Sequence, residues 1–324
     1  MSAPADDGGW LSPTRAWRVA QCPASAGPGV SGVVQIDRPA QNKGSLAHRA
    51  LDFWVRAHGY EAADVRGSMR TAIDQAVAEL GSEAPSDWTL TGKRLLARAP
   101  ALAEAFGDEV DDVIPERTIR DAALRIYGTP DIVVLGKEIT LIDLKTEQID
   151  DDELSPWIKF QLSVYAHLVA QEHGRLPRRI EVFSTQRGRM PVQLRDTDIS
   201  AALAAFEAAR RADPSAANPA EDTCRYCHRR LRCDAQWHAA PSWSKRDCVA
   251  GRVTRTERSM NGLTGLWLET ADGPVLLSGV PTVLVPDVDG ASIRAVRVSA
   301  SPRADSDQPN WRWGTRSALA VMSP

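Results

Sequence analysis

Long apolar runs, a leader-like start and a basic balance are all missing from this sequence. No stretch approaches the roughly 20 apolar residues that a membrane helix needs, the longest candidate being the alanine-rich segment from Ala201 to Ala209. The opening Met-Ser-Ala-Pro-Ala-Asp-Asp is acidic and lacks the apolar core of a secretory signal, so the expectation is a cytoplasmic protein. A formal net charge of −3 offers no overall electrostatic case for a nucleic-acid partner. Five cysteines are too few, and odd in number, for a disulfide framework; they fit a set of metal ligands with one left over. No GxxxxGK[ST] phosphate loop occurs, so no motor is built in.

What is present is the composition of a globular chain, 43% hydrophobic and 25% charged. At 324 residues the length suits about two domains. Apolar spacing predicts helices over residues 12–21, 43–57, 70–80, 92–106, 156–173 and 198–211. Short apolar runs from Val113 to Leu144, with another at Arg179–Ser184, predict strands, and the alternation is that of an α/β domain. After Trp243 the pattern becomes all-β, with hairpin turns at Asn261-Gly262 and Asp272-Gly273. The expected division is residues 1–244 and residues 245–324, the latter a small barrel of oligonucleotide-binding (OB-like) type. Splitting the charge at that boundary gives +2 for the C-terminal part and −5 for the rest, with a basic cluster at Arg225, Arg229, Arg230 and Arg232.

The chemistry centres on Pro130-Asp131 and Asp143-Leu144-Lys145. Asp143 and Lys145 stand two apart on a strand, so both project from one face while Leu144 points the other way. A hairpin turning near Gly136-Lys137 would bring Asp131 beside Asp143. Two adjacent carboxylates suit Mg²⁺ or Mn²⁺. A neighbouring lysine can orient a water, or help deprotonate it, and stabilise a phosphorane-like transition state.

These residues resemble the signature of the PD-(D/E)xK nucleases. His48 in Gly44-Ser-Leu-Ala-His48 resembles the metal-binding histidine of the RecB-like branch, and Gln161 with Tyr165 resembles that branch's QxxxY motif. Cys224, Cys227 and Cys233, with Cys22 as a distant fourth thiol, resemble the iron-sulfur staple of AddB-type nucleases and CRISPR-associated exonucleases. The spacing of the thiols fits zinc equally well; the resemblance points to a [4Fe-4S] cluster of structural rather than redox use.

The resemblance implies a restriction-endonuclease-like mixed sheet flanked by helices. It implies a Mg²⁺ or Mn²⁺ ion held by His48, Asp131, Asp143 and the Leu144 carbonyl, with Lys145 positioning water and Gln161 and Tyr165 holding substrate. The reaction would be hydrolysis of DNA, exonucleolytic more than endonucleolytic, on single strands or ends, in repair or in antiviral, CRISPR-linked defence. Partners would be DNA and a separate helicase or defence complex. The alternative is a non-catalytic iron-sulfur or zinc platform within a larger nucleic-acid-binding complex. Glu116 stands where the resemblance implies a glutamate near the site, with an exposed strand carboxylate as the first reading; Asp150 to Glu153 reads as a solvated loop and Cys248 as a small core residue. The knuckle arginines are candidates for phosphate contact, and Trp311 and Trp313, on one strand face, read first as core or a domain interface, with stacking on bases as the alternative.

Overall fold

The computed structural model describes residues 9–27, 33–35, 43–81, 84–85, 87–107, 110–147, 149, 154–225, 227–285, 288–301 and 309–322. The acidic run Asp150 to Glu153 lies outside the described residues. The chain divides into two compact units, Met1–Trp17 with Pro39–Arg210, and Arg18–Arg38 with Arg211–Pro324. Helix α1 (Pro13–Gln21) runs across the first division, and the short strand β1 (Val33–Gln35) belongs to the second unit. No described helix is long and apolar enough to cross a membrane.

The first unit is mixed α/β. Helix α2 (Lys43–Arg56) buries Leu46, Ala47, Ala50, Leu51, Trp54 and Val55, the three- and four-residue spacing of one helix face. That face packs on α3 (Val65–Glu79), whose start is capped by Asp64 accepting from Gly67 N at 2.9 Å, and on α4 (Trp88–Phe106).

Strands β2 (Val110–Pro115), β3 (Ile119–Asp121), β4 (Ile126–Gly128), β5 (Ile132–Gly136) and β6 (Thr140–Lys145) follow. Helix α5 (Pro156–His173) then crosses to β7 (Arg179–Ser184), which β8 (Gly188–Pro191) and α6 (Asp196–Arg211) succeed. The main sheet has the order β2-β5-β6-β7-β8; only β6 and β7 run parallel, as a helical crossover permits. One face, carrying Ile132, Val134, Ile142, Leu144 and Phe183, closes the core with α2, α3 and α4. Helix α5 packs on β6 and on the separate β3–β4 ribbon. Its ends are defined by Ser155, which caps Ile158 N, by Pro156 in the first turn and by left-handed Gly174.

The second unit holds α7 (Glu221–Arg225), α8 (Asp234–Ala239) and strands β9 (Cys248–Arg258), β10 (Leu263–Thr270), β11 (Gly273–Pro281), β12 (Ser292–Val296), β13 (Ser299–Ser301), β14 (Asn310–Arg312) and β15 (Ala318–Met322). They form one curled sheet, β1-β15-β12-β9-β10-β11-β14-β13. Gly262 and Gly273 adopt φ of 78° and 105° at the two expected hairpin turns. Among the described residues the sheet stays open, with β1 and β13 at its edges. Trp311 and Trp313 are each 8% exposed and belong to the apolar core with Val253, Leu266 and Leu277. This bears out the core reading of the pair and sets aside stacking on bases: the strand face they share is the inner one.

One buried charge cluster braces the main sheet. Glu181 on β7 is 3% exposed and accepts from Arg179 Nη2 at 3.1 Å and from Arg189 Nε and Nη2 at 2.9 and 2.6 Å. Burial works against its ionised form, but the hydrogen bonds from Arg189 and Arg179 outweigh it and hold the carboxyl below its usual range. Its stabilisation is therefore full above the unfolded carboxylate pKa and lost as pH falls through the lower folded value. Glu181→Ala should cost about 1–3 kcal/mol in urea unfolding at pH 7, and the gap to wild type should close as the pH drops below about 4.

Candidate active site

The β5–β6 hairpin brings the principal acids together. Its register pairs Ile132 with Ile142, which carries Asp131 alongside Asp143. Asp131 Oδ2 accepts from Leu144 N at 2.6 Å, fastening the two strand ends across the site. Strand alternation sends Leu144 into the core and turns Asp143 and Lys145 to the α5 side. Helix α2 supplies His48, whose Nδ1 lies 2.9 Å from Asp131 Oδ1 and 3.7 Å from Glu116 Oε1.

Glu116 is therefore part of the site, against its reading as an exposed strand carboxylate. Pro115 at the end of β2 pairs with Ile132, so the next residue falls opposite Asp131, and Glu116 N donates to the Asp131 carbonyl at 3.0 Å. Its φ of 44° turns the chain at that point. The sequence signal was the resemblance, which implies a glutamate near the site at this position; the β2–β5 register is what carries it there. Among the described residues, His48, Glu116 and Asp131 are the group of ligand-type side chains whose atoms all lie within 4.8 Å of one another.

On the other side of Asp143 runs a chain of polar contacts. Lys145 Nζ sits 2.7 Å from Asp143 Oδ2 and donates to Gln161 Oε1 at 2.9 Å; Gln161 Nε2 donates to the Tyr165 hydroxyl at 3.0 Å. The two α5 residues stand four apart and so share a helix face. Asp143 is 1% exposed, and its Oδ2, though ion-paired to Lys145, has no partner in hydrogen-bond geometry.

Charge in this corner is unbalanced towards the negative. Burial and the charge of Asp131 push the Asp143 carboxyl up to about 6. Burial also raises the Glu116 carboxyl, more than the neighbouring His48 lowers it. At His48 burial favours the neutral ring, but Asp131 outweighs it and lifts the imidazole to about 9. Burial of Tyr165 near Asp143 and Asp131 raises its phenol. A half-satisfied buried carboxylate oxygen, three acids and one imidazole form a hard donor set that fits a divalent cation.

Gly128 holds this arrangement at close range. A Cβ there would lie 2.7 Å from Tyr165 Cε1 and 2.9 Å from Leu168 Cδ1, so β4 can pass the tyrosine ring only as glycine. No sequence pattern distinguishes this glycine from a turn former.

The cysteines meet elsewhere, wholly within the second unit. Cys22, Cys224, Cys227 and Cys233 line one cavity of about 280 Å³, together with Ser25, Arg229 and Gln236. Cys22 Sγ accepts from Asn218 N at 3.3 Å. Burial pushes the Cys224 thiol up to about 11 and raises that of Cys227. Among the described residues the four sulfurs do not form a group within 4.8 Å of one another, in contrast to the carboxylate site. Cys248 is fully buried, with Gln236 Nε2 3.7 Å from its sulfur.

Two knuckle arginines expected to contact phosphate point inward. Arg230 is 2% exposed and paired to Asp247 at 2.6 and 3.1 Å, and Arg229 donates to the Ala24 carbonyl.

The family model of the PD-(D/E)XK nuclease superfamily matches residues 10–234 of this chain. Among curated proteins, none matches the sequence. Three solved structures show limited similarity. A candidate exonuclease from Eubacterium rectale is 14% identical, with 80% of this chain and 97% of that one covered and a TM-score of 0.39. SSO0001 is 17% identical over 59% of this chain and 85% of that one, with a TM-score of 0.28. The tetrameric p202 HIN2 is 17% identical over 24% of this chain and 41% of that one, with a TM-score of 0.21, so this chain spans less than half of its length.

Gly128→Ala should displace the Tyr165 ring, lowering stability by about 1–3 kcal/mol in urea unfolding.

Proposed function

The chain belongs to the PD-(D/E)XK nuclease superfamily, and from that premise we propose that it is a metal-dependent deoxyribonuclease with its active centre at His48, Glu116, Asp131, Asp143 and Lys145. The observation that carries the reading is the grouping of His48, Glu116 and Asp131 within 4.8 Å of one another, with Asp131 brought by the β5–β6 register alongside the buried Asp143 and its partner Lys145. His48, Glu116, Asp131, Asp143 and the Leu144 carbonyl would hold Mg²⁺ or Mn²⁺. Such an ion supplies charge neutralisation at a scissile phosphate and a more acidic water.

The remaining roles follow from the polar chain. Lys145 is held between Asp143 and Gln161, which aims its ammonium at the place where an attacking water and a phosphate oxygen would meet. Gln161 uses its carbonyl on Lys145 and its amide on Tyr165, so the tyrosine accepts one hydrogen bond and keeps its own O–H to donate to substrate. Lys145 therefore positions and stabilises, and Gln161 fixes its direction. Cutting from DNA ends, in repair or in defence against phage, suits this chemistry and the RecB-like motif of Gln161 and Tyr165.

The cysteine cavity is assigned a structural [4Fe-4S] cluster on Cys22, Cys224, Cys227 and Cys233. Four thiolates around one zinc ion at 2.3 Å would bring the sulfurs to about 3.8 Å from each other. The four thiols sharing one cavity suit either group, and the resemblance to the iron-sulfur staple is what favours the cluster. Aerobically and anaerobically purified protein should contain iron and absorb broadly in the visible. Cys22→Ser should yield colourless, iron-depleted protein of reduced stability, and zinc without visible absorbance would replace the cluster by a zinc site.

The decisive test of the nuclease reading uses end-labelled single-stranded, duplex and overhang DNA with Mg²⁺ or Mn²⁺. Asp143→Ala and Lys145→Ala should each lower cleavage by about 100-fold or more. Near-normal cutting by both variants would refute the assignment, and binding without any cutting by the wild type would favour the non-catalytic platform.

A further inference from the structure

The β3–β4 ribbon leads into Asp131 and shows two opposite faces. Its inner side carries Ile119, Asp121, Ile126 and Gly128, all buried. Leu11 is bridged in parallel to Ile126, with Leu11 N donating to Arg125 O at 3.0 Å and Tyr127 N to Leu11 O at 3.1 Å, so the N-terminal segment forms a third rung. Asp121 is turned inward, where its Oδ1 accepts from Leu124 N at 3.0 Å and its Oδ2 lies 2.8 Å from His167 Nε2.

The outer side is chemically uniform. Arg120 pairs directly with Tyr127 across the ribbon, and paired residues project from the same face. The Arg120 guanidinium lies 5.8 Å from the centre of the Trp10 ring, within cation–π range. Arg125 is exposed beside them, and Trp10 and Tyr127 are both part-exposed. Among the described residues of the ribbon and its Leu11 rung, the outward side chains are thus two aromatic rings and two guanidiniums, with no carboxylate. Beside this face runs a recess of about 390 Å³ lined in part by Thr118, Arg120 and Gln171; of its two acids, Glu172 is ion-paired to Arg117 and Asp121 is engaged by His167.

Resting on the nuclease reading above, we propose that Trp10, Arg120 and Tyr127 form a stacking platform that holds the bases of an unpaired DNA strand next to the scissile phosphate. Interleaved rings and cations are what a single strand requires, because every base has a π-face to stack and every nucleotide a charge to neutralise. Bases within a duplex stack on each other and offer those faces to no protein ring. Tyr127 precedes Asp131 by four residues, a reach of at most about 14 Å in extended chain, so bases on the platform and the phosphate at Asp131 belong to one short stretch of strand. The platform makes single-stranded DNA, or the unpaired end of a duplex, the preferred substrate.

The test is equilibrium binding by the full chain, with EDTA present, of fluorescein-labelled oligothymidylate and of an abasic strand of equal length. Trp10→Ala and Tyr127→Ala should each weaken oligothymidylate binding about tenfold or more, Trp10→Phe and Tyr127→Phe should retain it, and abasic binding should be the same in all five proteins. Arg120→Gln should reduce the salt slope of binding by about 0.7. Photocross-linking of the unaltered chain to an iododeoxyuridine strand should label peptides containing Trp10 or Tyr127. Alanine variants that bind oligothymidylate as wild type does, or cross-links confined to other peptides, overturn the platform even if cleavage stands. Stacking at these residues in a protein that never cuts DNA overturns the nuclease reading and leaves the platform in place.

Discussion

Two carboxylates buried side by side are the constraint around which the first unit is organised. Both carboxylates are held away from solvent, and burial together with the charge of Asp131 raises the cost of ionising Asp143. The fold answers with contacts from four directions: the Leu144 amide and His48 on Asp131, Lys145 on Asp143, and Gln161 steadying the lysine from α5. A single ammonium and a single imidazole face three acids here, and that surplus of negative charge is what separates a cation-binding site from a merely structural ion pair. Glu181 shows the contrast on the neighbouring strand, where two arginines satisfy a single carboxylate and nothing remains to be bound.

Much of this was legible in sequence because it rests on local periodicity. Asp143 and Lys145 share a face by strand alternation, Gln161 and Tyr165 by helical spacing, and the glycine turns at 262 and 273 by their need for positive φ. What escaped depends on contacts between segments distant in the chain. Glu116 reaches the site only through the β2–β5 register, and Gly128 matters only because Tyr165 packs against it. The same limit left two readings open in the sequence. Tryptophans on a strand and arginines in a knuckle look alike whether they face water or a core, and the sheet's curl and Asp247 decide that question.

The cysteine cavity follows a different logic from the carboxylate site. Its four thiols come from two segments far apart in the chain, yet all of them lie in one compact unit with the curled sheet. Burial raises the thiols of Cys224 and Cys227 above their ordinary range. The carboxylate site is held by its own hydrogen bonds.

Strand alternation at Asp143-Leu144-Lys145 also acts as quality control. A slip of one residue in the β5–β6 pairing would rotate Leu144 out of the core and drive a carboxylate and an ammonium into the apolar layer formed by Ile132, Val134 and Phe183. A chain paired in the wrong register would therefore fail to close its core. Molecules that complete folding carry the two acids and the lysine on the correct side, so competence for chemistry is inspected by the same packing that makes the protein stable.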